Sequence, residues 1–343
     1  MTQAQPTIGG FRPTLDRNLA FELARVTEAA AMAAARWMGR GDKNAADQAA
    51  VTAMRLTLNN VDMDGIVVIG EGEKDEAPML YIGERVGTQT PGTPKVDIAV
   101  DPIDGTTLTS KGLPNALSVV AIARRGSMYY PPGIVYMDKL AVGQVGRGVV
   151  SLEVPVGENV RNLAKARKCE PEDLTVVVLD RPRHEQLIRE IREAGARIMM
   201  ISDGDVAGAI MAAMEDYTGV DMLMGVGGSP EAVIAAAAMT CLGGEIQCRL
   251  YPRNEQEKEQ ALAHGLDLDK VLHTEDLVRD DDVCVALTGV THGELVNGVR
   301  FVARGARTET LVMRSRSGTI RRIESEHHFE KLARYVDMTP LNR

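Results

Sequence analysis

Apolar residues recur along this chain with two different periods, and the change between them predicts where helices and strands lie. Helical spacing over residues 16–37 and 47–59 predicts two helices, separated by a glycine-containing break. Residues 2–14 are polar and contain proline and glycine, which favours a loose arm. Short apolar runs predict buried strands at 66–69, 95–100, 116–123 and 133–142.

The second half of the chain alternates strand, polar loop and helix. Apolar runs at 174–179, 196–201 and 221–224 each lead through a polar loop into a helical pattern. Such alternation predicts a parallel or mixed sheet covered by helices. Ligands in these folds bind beyond the carboxyl ends of the strands, where the three loops lie. A charged helix at 254–264 and late strands at 283–287 and 309–314 complete the predicted elements.

The chain has 343 residues, which favours more than one core. We predict an α/β fold: an α+β layered sandwich with two mixed-sheet domains covered by helices. The predicted division is a flexible arm at 1–15, a first domain at 16–160 and an α/β domain at 161–343.

Composition narrows the class of partner. Aromatic residues make up 3% of the chain and its net charge is −9, and both values argue against a nucleic-acid partner. The apolar run at 233–239 is far shorter than a membrane span, and residues 1–13 lack a signal-type apolar core, so we expect no membrane association. Four cysteines, without a Cys-x-x-Cys pair, are expected to be idle thiols in the cytoplasm.

The sharpest chemical signal lies where the strand at 95–100 ends. Asp101 follows the strand, Pro102 is expected to end its hydrogen-bond ladder, and Asp104 returns in a turn that Gly105 permits. With Thr106, two carboxylates and a hydroxyl then share a small space. Such an all-oxygen environment suits Mg²⁺ or Mn²⁺. From the spacing alone, an ordinary turn is an equal alternative.

Two further acidic segments shift that balance. Glu71 and Glu73 stand among glycines directly after the apolar run at 66–69. Asp47 is expected to open the second helix, where the helix dipole alone would favour an acid. Taken singly, each acid reads as an ordinary surface or helix-start charge. Two acidic strand ends so close in sequence favour a shared site.

The helix openings of the second half offer groups for phosphates and hydroxyls. Gly227 and Gly228 precede Ser229, expected to cap a helix that has Pro230 in its first turn and Glu231 after it. Backbone N–H groups at such a helix start can hold a phosphate, although an ordinary loop is an equal alternative.

Two other loops carry charged pairs. Arg181 and Arg183 flank Pro182 at a helix start and are candidates for a second phosphate. Asp203 and Asp205, on either side of a glycine, would accept hydrogen bonds from sugar hydroxyls. Exposed arginines are common on any surface, and this is the alternative for the first pair.

The residues at 101–106, Asp-Pro-Ile-Asp-Gly-Thr, resemble the motif of the lithium-sensitive phosphatase superfamily, which includes inositol monophosphatases and fructose bisphosphatases. The Trp-Asp motif of the inositol enzymes is missing. The chain is similar to the class II fructose-1,6-bisphosphatases of bacteria from about residue 16 to 335. This similarity implies the sugar-phosphatase fold, with a metal-binding catalytic role for the domain at 16–160 and a substrate- and phosphate-binding role for the domain at 161–343. The segments that carry this similarity are 37–47, 67–80, 136–139, 181–184, 203–206 and 227–231.

The resemblance implies a role for individual residues. Thr106 matches the threonine that helps to activate the attacking water, and Lys43 is similar to a lysine near the site. If Thr106 is not needed, Glu73 is the next candidate base. Some relatives have Glu in place of Asp104 and Lys in place of Arg181, and both exchanges keep the charge. The metal ligands that it implies are Asp47, Glu71, Asp101, Asp104 and Glu231. The substrate contacts that it implies are Asp104, Gly105, Thr106, Tyr136, Arg181, Pro182, Arg183, Asp203, Gly204, Asp205 and Gly228.

The activity implied by the resemblance is hydrolysis of fructose 1,6-bisphosphate to fructose 6-phosphate, with two or three Mg²⁺ or Mn²⁺ ions at each site. Divalent cations would cancel the repulsion between five carboxylates and a bisphosphate. The alternatives are a broader enzyme that also takes sedoheptulose 1,7-bisphosphate, and an inactive sugar-phosphate-binding sensor. The resemblance further implies a homo-oligomer, often a tetramer.

Overall fold

The structure is a computed structural model that describes residue 15 and residues 18–72 and 79–332. Among these residues, no helix combines the length and the apolar character needed to cross a membrane. The helices are α1 (Leu19–Ala35), α2 (Lys43–Leu58), α3 (Thr106–Lys111), α4 (Val156–Arg167), α5 (Glu185–Glu193), α6 (Asp205–Ala213), α7 (Glu215–Thr218), α8 (Ser229–Leu242), α9 (Glu255–Ala263), α10 (Thr274–Leu277) and α11 (Phe329–Leu332). The strands are β1 (Asp64–Ile69), β2 (Arg85–Val86), β3 (Lys95–Asp104), β4 (Leu117–Arg124), β5 (Tyr136–Val142), β6 (Thr175–Leu179), β7 (Arg197–Ile201), β8 (Met222–Gly228), β9 (Glu245–Leu250), β10 (Leu272–His273), β11 (Cys284–Gly289), β12 (Arg300–Val302), β13 (Gly305–Arg314) and β14 (Thr319–His328).

The strands form two mixed sheets. The first has the order β12-β13-β11-β4-β3-β1-β2, with β14 paired to β13, and the second has the order β10-β9-β5-β8-β6-β7. β1 is parallel to β3 in the first sheet, and β6 is parallel to both β7 and β8 in the second. The other strand pairs are antiparallel.

Three apolar cores lie between the layers. Successive side chains along a strand point to opposite faces of its sheet, so neighbouring residues belong to different cores. Ile98 of β3 packs on α1 and α2, whereas its neighbour Ala99 faces the opposite core with α6 and α8. In the second sheet, Val177 joins that same middle core, whereas Val176 packs on α4 and α5. The layers are therefore helix, sheet, helix, sheet, helix, which confirms the predicted α/β layered sandwich.

The segment of strand β3 that carries the acidic motif differs from the prediction. Pro102 does not end the strand, because β3 continues to Asp104. The pairing with β4 shifts register between Asp101 and Asp104, as in a β-bulge. A bulge leaves residues out of the ladder, and a proline without an N–H can stand there inside a central strand.

In the sequence, the strands of the second sheet are inserted between two strands of the first sheet, β4 and β11. β5 to β10 come from one continuous stretch, 136–273, and the strands before and after it all belong to the first sheet. A cut at residue 160 would separate β5 from its neighbours β8 and β9. It would also separate β11 from β4.

A buried ion pair fastens residue 15 to the end of the first sheet. Arg314 on β13 donates from Nε to Asp282 Oδ1 (3.0 Å) and from Nη2 to the Leu15 carbonyl (2.8 Å). Asp282 accepts the Leu15 N–H at 2.9 Å. The carboxylate is fully buried and the guanidinium side chain is 10% exposed, so loss of either partner leaves an uncompensated charge inside the protein.

Replacement of Arg314 by Leu should therefore lower the free energy of unfolding by about 3–5 kcal/mol, because Asp282 loses its buried counter-charge. Urea unfolding followed by circular dichroism measures this change. The control is Arg316→Leu on the exposed turn that follows β13, which should stay within about 0.5 kcal/mol of the wild type. Equal losses in the two variants would contradict a stabilising role for the pair.

Candidate active site

A cleft of about 400 Å³ opens where the two sheets present their strand ends. The carboxyl ends of β6, β7 and β8 lie on this side, as expected for ligand sites in such sheets. The first sheet contributes Glu71 after β1 and the acidic end of β3. The cleft is thus built by both sheets.

Fourteen predicted site residues line this cleft. Lys43 and Pro182 are absent from its lining, and Glu73 falls within residues 73–78, outside the described part of the chain. The predicted residues that line it are Asp47, Glu71, Asp101, Asp104, Gly105, Thr106, Tyr136, Arg181, Arg183, Asp203, Gly204, Asp205, Gly228 and Glu231.

The bulge in β3 holds two carboxylates at the cleft floor. Asp101 Oδ1 accepts the Ile103 N–H at 3.0 Å, and Asp104 Oδ2 accepts the Ala207 N–H from α6 at 3.0 Å. Burial raises the pKa of both acids well above the usual range. Repulsion adds to this effect, chiefly from Asp104 on Asp101 and from Asp205 on Asp104.

The second acidic strand end lies in the same cleft. Glu71 donates its backbone N–H to the Leu80 carbonyl at 3.0 Å, which fixes the residue just beyond β1. Burial raises the pKa of the Glu71 carboxyl to about 8, and the charges of Asp47 and Glu231 act in the same direction. The Glu71 carboxyl therefore lies among other acids of the cleft.

Asp47 reaches the cleft from inside a helix, not from its start. α2 begins at Lys43, and the side chain of Asp42 caps it by accepting the Ala45 N–H at 2.9 Å. The prediction that Asp47 opens the helix is therefore wrong, because the extended backbone of Asp42 suits the capping position. Burial raises the pKa of the Asp47 carboxyl.

The start of α8 brings Glu231 to the opposite wall. Gly228 occupies the capping position, and the buried Ser229 hydroxyl finds no partner among the described residues, so the predicted cap by Ser229 is wrong. Glu231 Oε2 is also buried without a hydrogen-bond partner in the described chain. A Cβ at Gly228 would overlap this oxygen, so the glycine makes room for the carboxylate.

Thr106 and Thr107 are adjacent in sequence but have different surroundings. Gly105, with φ of +101°, precedes α3 in a left-handed conformation that favours glycine. Thr106, the first residue of α3, lines the cleft, whereas Thr107 does not. The Thr107 hydroxyl accepts from Lys43 Nζ at 2.7 Å, and its N–H donates to Asp203 Oδ2 at 3.1 Å.

Two arginines form the positive side of the cleft. Arg183 donates from Nη2 and Nε to the Val226 carbonyl (2.7 and 3.2 Å), and its guanidinium lies 5.1 Å from the Tyr136 ring centre. Arg181 donates to the Asp180 carbonyl at 3.0 Å. Next to them, buried His184 accepts the Val226 N–H at 2.8 Å, and burial lowers the pKa of its imidazole.

Lys139 was missed as a site residue by reasoning from the sequence. Its Nζ lies 2.6 Å from Asp205 Oδ2, and the two side chains are 2% and 6% exposed. The signal was present in the sequence, since a lysine interrupts the apolar strand at 136–142. A buried lysine requires a buried partner.

The cleft lining holds seven carboxylates and two guanidiniums. Among the described residues, no three His, Cys, Asp or Glu side chains converge into a finished set of metal ligands. The donors nevertheless fit a hard divalent cation, because they are carboxylate oxygens and the buried Glu231 Oε2 has no hydrogen-bond partner in the described part of the chain. Asp47, Glu71, Asp101, Asp104 and Glu231 are the residues that could hold such ions.

The family model described as bacterial fructose-1,6-bisphosphatase, glpX-encoded, matches residues 17–327. The chain belongs to this family. Within it, the chain is 46% identical over 337 residues to a Haemophilus influenzae protein named fructose-1,6-bisphosphatase class 2, covering 94% of this chain and 100% of that protein. It is also 46% identical over 328 residues to Escherichia coli fructose-1,6-bisphosphatase 1 class 2, covering 92% of this chain and 96% of that protein.

The raised pKa of Glu71 predicts how the folding stability of this family member depends on pH when a chelator removes metal ions. Its folded-state pKa of about 8 exceeds the unfolded value, so between roughly pH 4.5 and pH 8 the folded state binds more protons and stability falls as pH rises. Glu71→Gln removes this group and should flatten the fall. Urea midpoints measured in excess chelator from pH 5 to about 9 test this.

The control is Glu193→Gln, an exposed position at the end of α5, which should keep the wild-type slope. An unchanged slope in Glu71→Gln would show that this carboxyl does not titrate in the neutral range.

Proposed function

We propose that this chain hydrolyses fructose 1,6-bisphosphate to fructose 6-phosphate and phosphate with the help of divalent metal ions. The observation that carries the proposal is one cleft lined by both the acidic residues and the arginine pair of the family pattern. Near-complete coverage by relatives named class 2 fructose-1,6-bisphosphatases supports it. The acids and the arginines give the cleft groups for both ends of a bisphosphate.

The proposed metal-holding residues are Asp47, Glu71, Asp101, Asp104 and Glu231, for two or three Mg²⁺ or Mn²⁺ ions. Bound ions would neutralise the carboxylates and supply Lewis-acid polarisation of the phosphate and of the attacking water. Without that neutralisation, seven carboxylates would repel a substrate that carries two phosphates.

Side chains of the protein would position the attacking water and bind the remote phosphate of the substrate. Thr106 would position the attacking water from the start of α3, and Lys43, whose ammonium donates to the neighbouring Thr107 hydroxyl, would supply a positive charge near the site. Glu73 is the alternative base. Arg181 and Arg183 would hold the remote phosphate by charge-assisted hydrogen bonds and so place the reacting phosphate by proximity.

The polar wall between the two phosphates would recognise the sugar. Asp203 and Asp205 offer carboxylate acceptors to its hydroxyls, and Tyr136 would pack beside it. Gly204 and Gly228 leave the backbone accessible at the starts of α6 and α8. We further propose, from the family likeness, that the protein is a cytoplasmic homo-oligomer, a tetramer.

Phosphate release from a panel of sugar phosphates tests the proposal. We expect rapid release from fructose 1,6-bisphosphate with Mg²⁺ or Mn²⁺, and loss of activity in excess chelator that returns when metal is restored. Equal turnover of sedoheptulose 1,7-bisphosphate would favour the broader enzyme. Tight binding of the sugar phosphate without phosphate release would favour the sensor, and full activity in chelator would exclude the role given to metals.

The positions of Thr106 and Thr107 predict different losses. Thr106→Ala should lower kcat by at least ~10²-fold, the scale of losing a positioned proton-transfer group, whereas Thr106→Ser should keep part of the activity. Thr107→Ala is the matched control and should be milder, because its hydroxyl is bonded to Lys43 outside the cleft. Steady-state kinetics would compare the three, with calorimetry to check substrate binding. Near-wild-type turnover in Thr106→Ala would mean that its hydroxyl is not needed.

A further inference from the structure

Lys139 lies in the interior of the second sheet. Its strand, β5, pairs with β8 on one side and β9 on the other, and Lys139 stands opposite Gly225 and Cys248 in those pairings. The side chain is 2% exposed. Removal of an ammonium group from water costs several kcal/mol unless a partner compensates it. A lysine at this position therefore needs an explanation beyond packing.

The partner of Lys139 is a residue of the cleft wall. Asp205, the first residue of α6, lines the cleft, whereas Lys139 is absent from that lining and lies behind it. The ammonium contacts one carboxylate oxygen, Oδ2, at 2.6 Å. The direct contact of Lys139 with the cleft is therefore through Asp205, and its charge also acts on the buried Glu231.

The ion pair is held from a second direction by strand β8. A Cβ at Gly227 would overlap Asp205 Oδ2 and would lie 3.0 Å from Lys139 Nζ. The pair therefore packs directly on the backbone of β8, in space that any side chain at 227 would need. Asp205 has little freedom to turn towards that strand.

Repulsion explains why a positive charge is needed behind Asp205. The charges of Asp205 and Asp203 both act on Asp104 and on Glu231. Without a counter-charge, the Asp205 carboxylate would move away from its acidic neighbours and towards solvent. The buried ammonium provides that counter-charge at a fixed point.

We propose that Lys139 is a positioning residue that holds Asp205 in place as a hydrogen-bond acceptor for a hydroxyl of the sugar. This inference rests on the proposed function, since it needs a sugar phosphate in the cleft. A hydroxyl contact of this kind exists before and during phosphate transfer. Its loss therefore weakens binding without slowing the chemical step.

The test is a double-mutant cycle with Lys139→Met, Asp205→Asn and the double variant, in the metal-loaded protein. Lys139→Met keeps the length of the side chain and removes its charge. We expect each single variant to raise KM for fructose 1,6-bisphosphate by about tenfold, with kcat changed by less than about threefold. The double variant should be no worse than Asp205→Asn, because the two residues act as one unit. Lys139→Arg should recover part of the loss.

Two controls separate positioning from general damage to the fold. Cys248→Ala alters the packing directly opposite Lys139 without removing a charge, and it should keep the wild-type KM. Because the Lys139 charge also acts on Glu231, calorimetric titration of Mn²⁺ without substrate checks that Lys139→Met still binds the metal, and KM is compared at saturating Mn²⁺. A purely structural role would lower the melting temperature and leave KM unchanged.

Several outcomes would overturn the inference. A wild-type KM in folded Lys139→Met would do so, as would a KM in the double variant that multiplies the two single effects. If Lys139→Met does not fold, Asp205→Asn and the double variant carry the test, because the Asn carbonyl oxygen can still accept from the ammonium and the double variant leaves neither charge unpaired. A further rise of KM in the double variant would then refute the inference. A wild-type protein that releases no phosphate from any sugar bisphosphate would remove the proposed function, and this inference with it.

Discussion

The thickness of the helical layer between the two sheets is the constraint on which the site depends. Residues 232–239 of α8 are all buried, and alanines dominate this stretch, so the helix is apolar all round. α8 and α6 share one core with both sheets, which fixes the spacing of the sheets. The starts of the same two helices carry Glu231 and Asp205 into the cleft. Packing in the middle layer therefore sets the distance between the acids on these two helices and the acids at the ends of β1 and β3.

The site is a local exception to the rules that stabilise the remainder of the fold. Carboxylates of Asp101, Asp104 and Glu231 are buried beside one another, and their raised pKa values express the cost. The compensating groups among the described residues include the N–H groups of Ile103 and Ala207 and the ammonium of Lys139. Such conflicts between burial and charge are typical of places where function, not stability, selects the residue.

Sequence patterns located the acidic strand ends because a buried strand followed by an acid is a local signal. Glu71, Asp101 and Asp104 were predicted from this signal, and all three line the same cleft. The strand β14 escaped prediction, since its charged and mostly exposed residues show no apolar period and it forms by pairing with β13. The partner of Lys139 was equally hidden, because Asp205 lies 66 positions away and a charge in an apolar strand does not indicate which residue it meets.

The insertion of the second sheet into the first has a consequence for the growing polypeptide on the ribosome. β4 finds its neighbour β11 only after the whole of residues 136–273 has been made. Until then one side of the first sheet is an open edge of apolar strand, a surface that favours pairing between nascent chains. The inserted residues 136–273 can form the second sheet before β11 is available to complete the first. Slow elongation or chaperone binding in this interval would therefore decide how much of the protein escapes aggregation.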